Sequence, residues 1–289
     1  MIWLISASLI WAFSFGLIKG LITGVDPFVL GVLRTGIAAL FFAPVFFAQF
    51  ILPLAKRKPI TPIPLKINGY AAICGFLQIG LMYGPYLLSF QYLKAHEVAL
   101  YTMTTPLIMG FLVSLKSRAN GGRVFVAAAL ATAGGIIAAS GKMHSFEMQI
   151  GVALVQLSNL FFASGILLWT KWLSSKKDQQ SQLMFPFFAG AAAASLIMAA
   201  FFAKDLRPFT AMEWLVFVYL GAVASGVGFF MWNRGALMVS TPTLTAANNL
   251  KLPIAMIVSI VFFGEQANLI TLTVGLIFIV SGLRFAQKA

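Results

Sequence analysis

The sequence predicts an all-α integral membrane protein with ten transmembrane helices in two inverted five-helix repeats. Three observations support this prediction. The 289 residues are 60% hydrophobic and 9% charged, with a mean hydropathy of +0.94, which is far from the composition of soluble domains. Ten apolar stretches are each long enough to cross a bilayer. The two halves of the chain also share features at a spacing of 147 residues.

The ten stretches follow one another with short connections. The first starts at the N-terminus without a basic leader or a convincing cleavage site, so we interpret it as a membrane helix and not as a signal peptide. The longest connection, KRKPITPIPLK, is basic and broken by proline, which indicates a loop. The predicted helices are Ile2–Gly20, Phe28–Leu52, Tyr70–Phe90, Ala95–Leu115, Val124–Ser140, Gln149–Trp172, Gln182–Ala203, Met212–Trp232, Pro242–Phe263 and Leu269–Ala286.

Basic residues give the orientation. If the N-terminus is cytoplasmic, 13 of the 20 Lys and Arg lie on the cytoplasmic side and 5 lie outside, with Arg34 and Lys251 inside helices. Because cytoplasmic loops carry the excess of Lys and Arg, both termini are predicted to be cytoplasmic. We expect the protein to lie in a bacterial inner membrane.

The net charge of +13 follows from these loops and does not indicate nucleic-acid binding. One cysteine and two histidines make a metal site unexpected. No Walker loop is present, so direct use of ATP is not expected, and no cofactor is predicted. A nucleophile or paired acids at midmembrane are also missing, so we do not expect an enzyme.

The 147-residue spacing divides the chain into 1–141 and 149–289. It pairs Pro106 of predicted helix four with Pro253 of predicted helix nine. Because each half has an odd number of helices, the second half must be inserted upside down, as in many secondary transporters. Each proline frees a backbone carbonyl and bends its helix. The two bent helices are predicted to cross near the centre, with Pro106 and Pro253 as hinges around a ligand cavity.

Polar residues mark one face of predicted helix nine. A lysine near the centre of an apolar span costs about 2.5 to 3.5 kcal/mol, so Lys251 is expected to face a cavity and bind substrate. At about 100° per residue, Thr245, Asn248 and Asn249 share its face. A polar seam between helices is the alternative. The spacing places Tyr101 and Thr104 of helix four opposite this face.

Four further residues are candidates. Arg34 lies inside helix two, where it either snorkels to the interface or bonds a neighbouring carbonyl, or else takes part in gating or binds a carboxylate. Glu97 opens helix four on the side of Tyr101 and either binds a substrate amine or is a solvated charge. Trp11 and Tyr83 are aromatic residues that either line the cavity or pack in the core.

Four short motifs occur along the chain: Trp11 to Gly16 in helix one, Pro27 with Leu33-Arg34 in helix two, the entry to helix four with Pro106, and Gly264-Glu265 after helix nine. Together they resemble the EamA-type family of the drug/metabolite transporter superfamily. Ala12 replaces the usual glycine. The resemblance covers nearly the whole chain. It implies ten helices in two inverted repeats and alternating-access transport of small metabolites, often amino acids moving outward.

Together these observations predict a secondary transporter that exports amino acids or related compounds. Its partners would be a small-molecule substrate and the lipid bilayer, with homodimerisation left open. An exchanger of sugar phosphates or carboxylates is the nearest alternative, and a membrane assembly protein is a more distant one. The sequence leaves the substrate, direction and coupling ion open.

Overall fold

A computed structural model describes most of the chain, and all of its regular secondary structure within the described residues is helical. The described residues are 1–22, 24–56, 63–93, 98, 101–114, 146–204, 206–250 and the single positions 274, 277, 280, 281 and 284.

The longer helices include two π-helical segments, which follow α3 and α8, and three short 3₁₀ segments. In chain order they are α1 (Ile2–Leu21), α2 (Pro27–Lys56), α3 (Leu65–Gly75), a π segment (Phe76–Leu81), α4 (Met82–Ser89), a 3₁₀ turn (Thr102–Thr104), α5 (Thr105–Ser114), α6 (Phe146–Leu173), a 3₁₀ segment (Ser174–Gln179), α7 (Gln180–Phe202), α8 (Ala211–Val218), a π segment (Tyr219–Val227), α9 (Gly228–Ala236), α10 (Thr241–Ala247) and a 3₁₀ turn (Asn248–Leu250).

Four described stretches are long and apolar enough to cross a membrane, which supports an integral membrane protein. They are Pro27–Phe50, Leu65–Ser89, Gln149–Phe202 and Ala211–Ala236. The third contains two helices, α6 and α7, because Lys176 between them has non-helical dihedral angles (φ −111°, ψ 19°). Predicted helices one, two, three, six, seven and eight coincide with described helices. Predicted helix five lies outside the described residues, so the count of ten, the inverted repeat and the cytoplasmic termini stay predictions.

The packing centres on α3, its π segment and α4. α3 contacts α6 and α7, while α4 contacts α2 and α6. α2 packs along α7, and α1 packs along α9. The buried core joins these helices, with Trp169, Phe187, Phe188, Phe217 and Trp232 fully buried.

Two glycines let the backbones of α3 and α7 touch. A Cβ on Gly75 would overlap the carbonyl of Phe187, and a Cβ on Gly190 would overlap the carbonyl of Ala72. Such close contact between helices is typical of membrane proteins, where small residues replace hydrophobic burial as the basis of association. The backbones of α3 and α7 are therefore in direct contact at these two glycines.

Asp26 caps α2 and joins it to the chain after α7. Its Oδ1 accepts hydrogen bonds from the N–H groups of Phe28 (2.8 Å) and Val29 (3.2 Å), as an N-cap residue does. Its Oδ2 accepts one from the N–H of Lys204 (3.0 Å). Pro27 at the first helical position has no N–H to satisfy. One carboxylate thus connects two distant segments at the same end of the bundle.

Asp26→Ala is expected to lower the stability of the protein by about 1 kcal/mol, the usual cost of losing an N-cap. The measurement is the midpoint of thermal unfolding in detergent. Asp178→Ala is the control, because the Asp178 side chain is 82% exposed and lies 3.8 Å from its partner Arg234, where an ion pair contributes little. Equal midpoints for the two variants would contradict the capping role.

Candidate functional site

A cavity of about 570 Å³ of empty space, including the open space at its mouth, lies among six of the predicted helices. Its lining combines aromatic, hydroxyl and amide side chains with one charged residue. The lining residues are Trp11, Ser14, Arg34, Met82, Tyr83, Tyr86, Thr102, Thr105, Ser158, Asn159, Phe162 and Phe229.

Arg34 is held in the cavity by two neighbours. Its guanidinium lies over the Tyr83 ring, with Cζ 4.4 Å from the ring centroid. Its Nε donates a hydrogen bond to the Ser225 hydroxyl at 3.3 Å. The hydroxyls of Ser225 and Tyr83 share a hydrogen bond of 2.8 Å. Stacking and hydrogen bonding together fix the guanidinium plane.

The charge of Arg34 has no acidic partner within the described part of the chain. The Arg34 side chain does not snorkel, because the residue is only 3% exposed. The ion pairs found there involve Arg207 and Arg234 only, and no acidic residue is among the described lining residues. A buried cation without a counter-ion is costly, and an anionic ligand would remove that cost.

An aromatic layer closes one side of the cavity. Trp11 packs against Phe229 (4.9 Å between ring centroids) and Trp232 (5.3 Å). Phe162 contacts the same two rings at 6.4 and 6.1 Å. The Trp11 Nε1 donates a 2.8 Å hydrogen bond to the carbonyl of Ala224, in the second π segment. We call Trp11, Phe162, Phe229 and Trp232 the aromatic floor.

A polar wall lies on predicted helices four and six. The Asn159 Nδ2 donates to the Tyr101 carbonyl (2.9 Å) and to the Thr104 hydroxyl (3.1 Å). The Thr104 hydroxyl also lies 2.5 Å from Gln156 Oε1. Of these four residues, Asn159 lines the cavity. Tyr101 and Thr104 therefore position Asn159 in the structure.

Pro106 lies near the start of α5, and its role as a hinge stays a prediction. It is the second residue of α5, directly after a 3₁₀ turn. Because proline has no N–H, the Thr102 carbonyl has no donor at position 106. That carbonyl accepts a hydrogen bond from the Thr105 hydroxyl (2.6 Å). Thr102 and Thr105 bring predicted helix four to the cavity wall.

The described part of predicted helix nine, 242–250, adds no residue to the cavity lining, and its residues 243–249 are buried. Thr245 donates its hydroxyl to the Thr241 carbonyl at 2.8 Å. Asn248 and Asn249 are 0% exposed. The Asn249 Nδ2 donates a 3.1 Å hydrogen bond to the carbonyl of Met103 in helix four. Helices four and nine thus meet at these polar residues.

Three predicted site residues lie outside the described residues: Lys251, Glu97 and Pro253. Of the others, Trp11, Tyr83 and Arg34 are brought together in the cavity. Sequence reasoning did not select Ser225, Thr102 or Asn159 for the site. Asn159 carried a signal, as an amide inside an apolar span, but close helix packing explained it equally well.

The described lining suits a small amphiphilic anion. Arg34 offers a fixed fork of donors to a carboxylate. The aromatic floor offers an apolar surface, and Thr102, Thr105, Ser158 and Asn159 offer hydroxyl and amide groups to a neutral polar substituent.

The comparisons with known proteins agree on one class. The model of the EamA-like transporter family matches residues 1–141 and 149–286. A protein of Escherichia coli (strain K12) named "Biotin transporter" is 31% identical over 289 residues, covering 99% of this chain and 92% of the relative. A "Probable biotin transporter" of Pseudomonas aeruginosa PAO1 is 31% identical over 285 residues, covering 97% and 95%.

A solved structure described only as "Crystal structure of protein" has a similar fold. It matches with a TM-score of 0.70 at 19% identity, and the match covers 99% of this chain and 96% of that one. At this identity the likeness concerns the fold alone.

Proposed function

This chain belongs to the EamA-like transporter family, and from that premise we propose that it transports a small monocarboxylate of the biotin type through the cavity around Arg34. Family membership confirms the resemblance given by the sequence motifs. The chain is an integral protein of the bacterial inner membrane, with the bilayer and a small-molecule substrate as its partners.

The observation that carries the substrate proposal is the buried charge of Arg34. A carboxylate is its natural partner, because two parallel N–H···O bonds fit the guanidinium fork. Biotin has one carboxylate and an otherwise neutral body, and the described lining has one cation among neutral side chains. A doubly charged phosphate normally needs more than one cation.

Amino-acid export, which the resemblance implied, is the second candidate. An amino acid would present its carboxylate to Arg34 equally well. Its ammonium group would favour an acidic partner, and the described lining residues include none. We therefore place a neutral-bodied carboxylate first.

The remaining predictions from the sequence extend this proposal. We propose alternating access by rocking of the two repeats, 1–141 and 149–289, about a fixed central site. Lys251, Asn248, Asn249 and Thr245 would then belong to the opposite, helix-nine side of the pathway. Ten helices, cytoplasmic termini and homodimerisation stay predictions.

Counterflow in liposomes tests the proposal. Liposomes containing the purified protein are loaded with unlabelled biotin and given a trace of labelled biotin outside. We expect transient accumulation of label, and none in liposomes without protein. The same assay is run with amino acids, dicarboxylates and sugar phosphates. Accumulation of an amino acid without biotin would overturn the proposal in favour of amino-acid export, and accumulation of only phosphates or dicarboxylates would favour the anion exchanger.

A further inference from the structure

Two buried amides lie one helical turn beyond the cavity. Gln78 is in the first π segment and Asn233 is in α9, and both are 0% exposed. The Gln78 Nε2 donates a 2.9 Å hydrogen bond to the Asn233 Oδ1. We call these two residues the amide pair.

The amide pair has one acceptor and one donor left over. Gln78 Oε1 and Asn233 Nδ2 are buried and make no hydrogen bond within the described part of the chain. Buried polar atoms in proteins are usually paired. The described residues hold 11 buried unpaired atoms, and among them only Gln78 Oε1 and Asn233 Nδ2 are an acceptor and a donor on two side chains that are hydrogen-bonded to each other.

The position of the amide pair relates it to the cavity. Met82 follows Gln78 by four residues, and Phe229 precedes Asn233 by four, so each is about one turn away along its helix. Met82 and Phe229 both line the cavity. The amide pair therefore lies about one turn from the cavity lining, towards the helix ends that carry Lys66 and Arg234.

We infer that the amide pair is a second binding station, which recognises a urea-type group of the substrate as it passes the aromatic floor. A urea edge presents one N–H and one C=O. The N–H would donate to Gln78 Oε1, and the C=O would accept from Asn233 Nδ2. A carboxylate cannot donate to Gln78 Oε1, so the station would not compete with Arg34 for that end of the substrate.

This inference rests on the proposed function, because biotin carries a cyclic urea at the end opposite its carboxylate. Arg34 would then recognise one end of the molecule and the amide pair the other. Discrimination among carboxylates would come from the amide pair, since every carboxylate satisfies Arg34.

The first test uses the wild-type protein and two competitors of biotin counterflow. Desthiobiotin keeps the urea, whereas 2-iminobiotin has a cyclic guanidinium that offers only donors at neutral pH. We expect desthiobiotin to inhibit at concentrations about tenfold lower, or more, than 2-iminobiotin, because a site built for a hydrogen bond rejects an analogue that cannot make it. Equal inhibition would overturn the inference while leaving biotin transport intact.

The second test reverses the preference. Asn233→Asp replaces the leftover donor by an acceptor, which suits a guanidinium and not a urea C=O. We expect this variant to favour 2-iminobiotin over desthiobiotin. Gln180→Glu is the control, because it adds the same negative charge at another buried amide. The Gln180 side chain donates a 2.9 Å hydrogen bond to the backbone carbonyl of Phe230. If desthiobiotin still inhibits Asn233→Asp more strongly than 2-iminobiotin does, the amide pair does not bind the urea group. If Asn233→Asp does not fold, the competition with the wild-type protein alone tests the inference.

Discussion

Arg34→Gln is expected to lower the rate of biotin counterflow by about 100-fold or more. Losing one partner of a buried charge pair costs about 3 to 5 kcal/mol, and each 1.4 kcal/mol is a factor of about ten. Glutamine keeps some hydrogen-bonding capacity but cannot neutralise a carboxylate. The measurement is the initial rate in liposomes with equal amounts of inserted protein.

Three comparisons separate the effect of the charge from an effect on folding. Arg34→Lys keeps the charge but loses the fork and the stack on Tyr83, so an intermediate rate is expected. Arg234→Gln removes an arginine whose partner is an exposed aspartate, and should leave the rate near wild type. Biotin methyl ester, which has no charge, should bind wild type and Arg34→Gln with similar affinity. A wild-type rate of biotin counterflow in Arg34→Gln would disprove the carboxylate role.

Gly75→Ala is expected to reduce the yield of folded protein severely. Its new methyl group would overlap the Phe187 carbonyl, and backbone atoms cannot move aside as a flexible side chain can. Overpacking a core usually costs about 1 to 3 kcal/mol, and the reciprocal contact at Gly190 prevents α3 from shifting along α7. The measurements are the monodisperse fraction in detergent and the midpoint of thermal unfolding.

Gly69→Ala is the matched control for this change. Gly69 is on the same helix, and a Cβ there meets nothing within 4 Å. Alanine is a better helix former than glycine by about 1 kcal/mol, so this variant should be as stable as wild type or more stable. If Gly69→Ala loses as much folded yield and stability as Gly75→Ala, the contact between α3 and α7 is not the cause of the loss.

The helices were the most predictable part of the structure, because apolar length alone defines a membrane span. Arg34 could be selected as a candidate because a charge inside a span is rare. Trp11 and Tyr83 were selected with less specificity, since aromatic residues are abundant in this chain. All three reach the cavity.

Ser225 and the amide pair were harder to predict for a physical reason. A π-helical turn holds more residues than an α-helical turn, so the rule of 100° per residue fails across Tyr219–Val227 and Phe76–Leu81. The face that Ser225 and Gln78 present therefore cannot be read from regular helical spacing. Polar side chains in membrane helices also form contacts between helices, so residue type alone does not distinguish a binding site from a helix–helix contact.

The charge of Arg34, which has no acidic partner among the described residues, also affects the energetics of movement across the membrane. When a monoanion binds Arg34, its negative charge cancels the positive charge of the guanidinium, so the occupied site is electrically neutral. The substrate nevertheless transfers one negative charge across the bilayer. With the cytoplasm negative by 100 mV, moving it inward costs about 2.3 kcal/mol and moving it outward releases the same amount. Concentrative uptake of the anion at that potential therefore requires compensating charge movement, either a cation entering with it or another anion leaving in exchange, whereas the membrane potential by itself favours efflux.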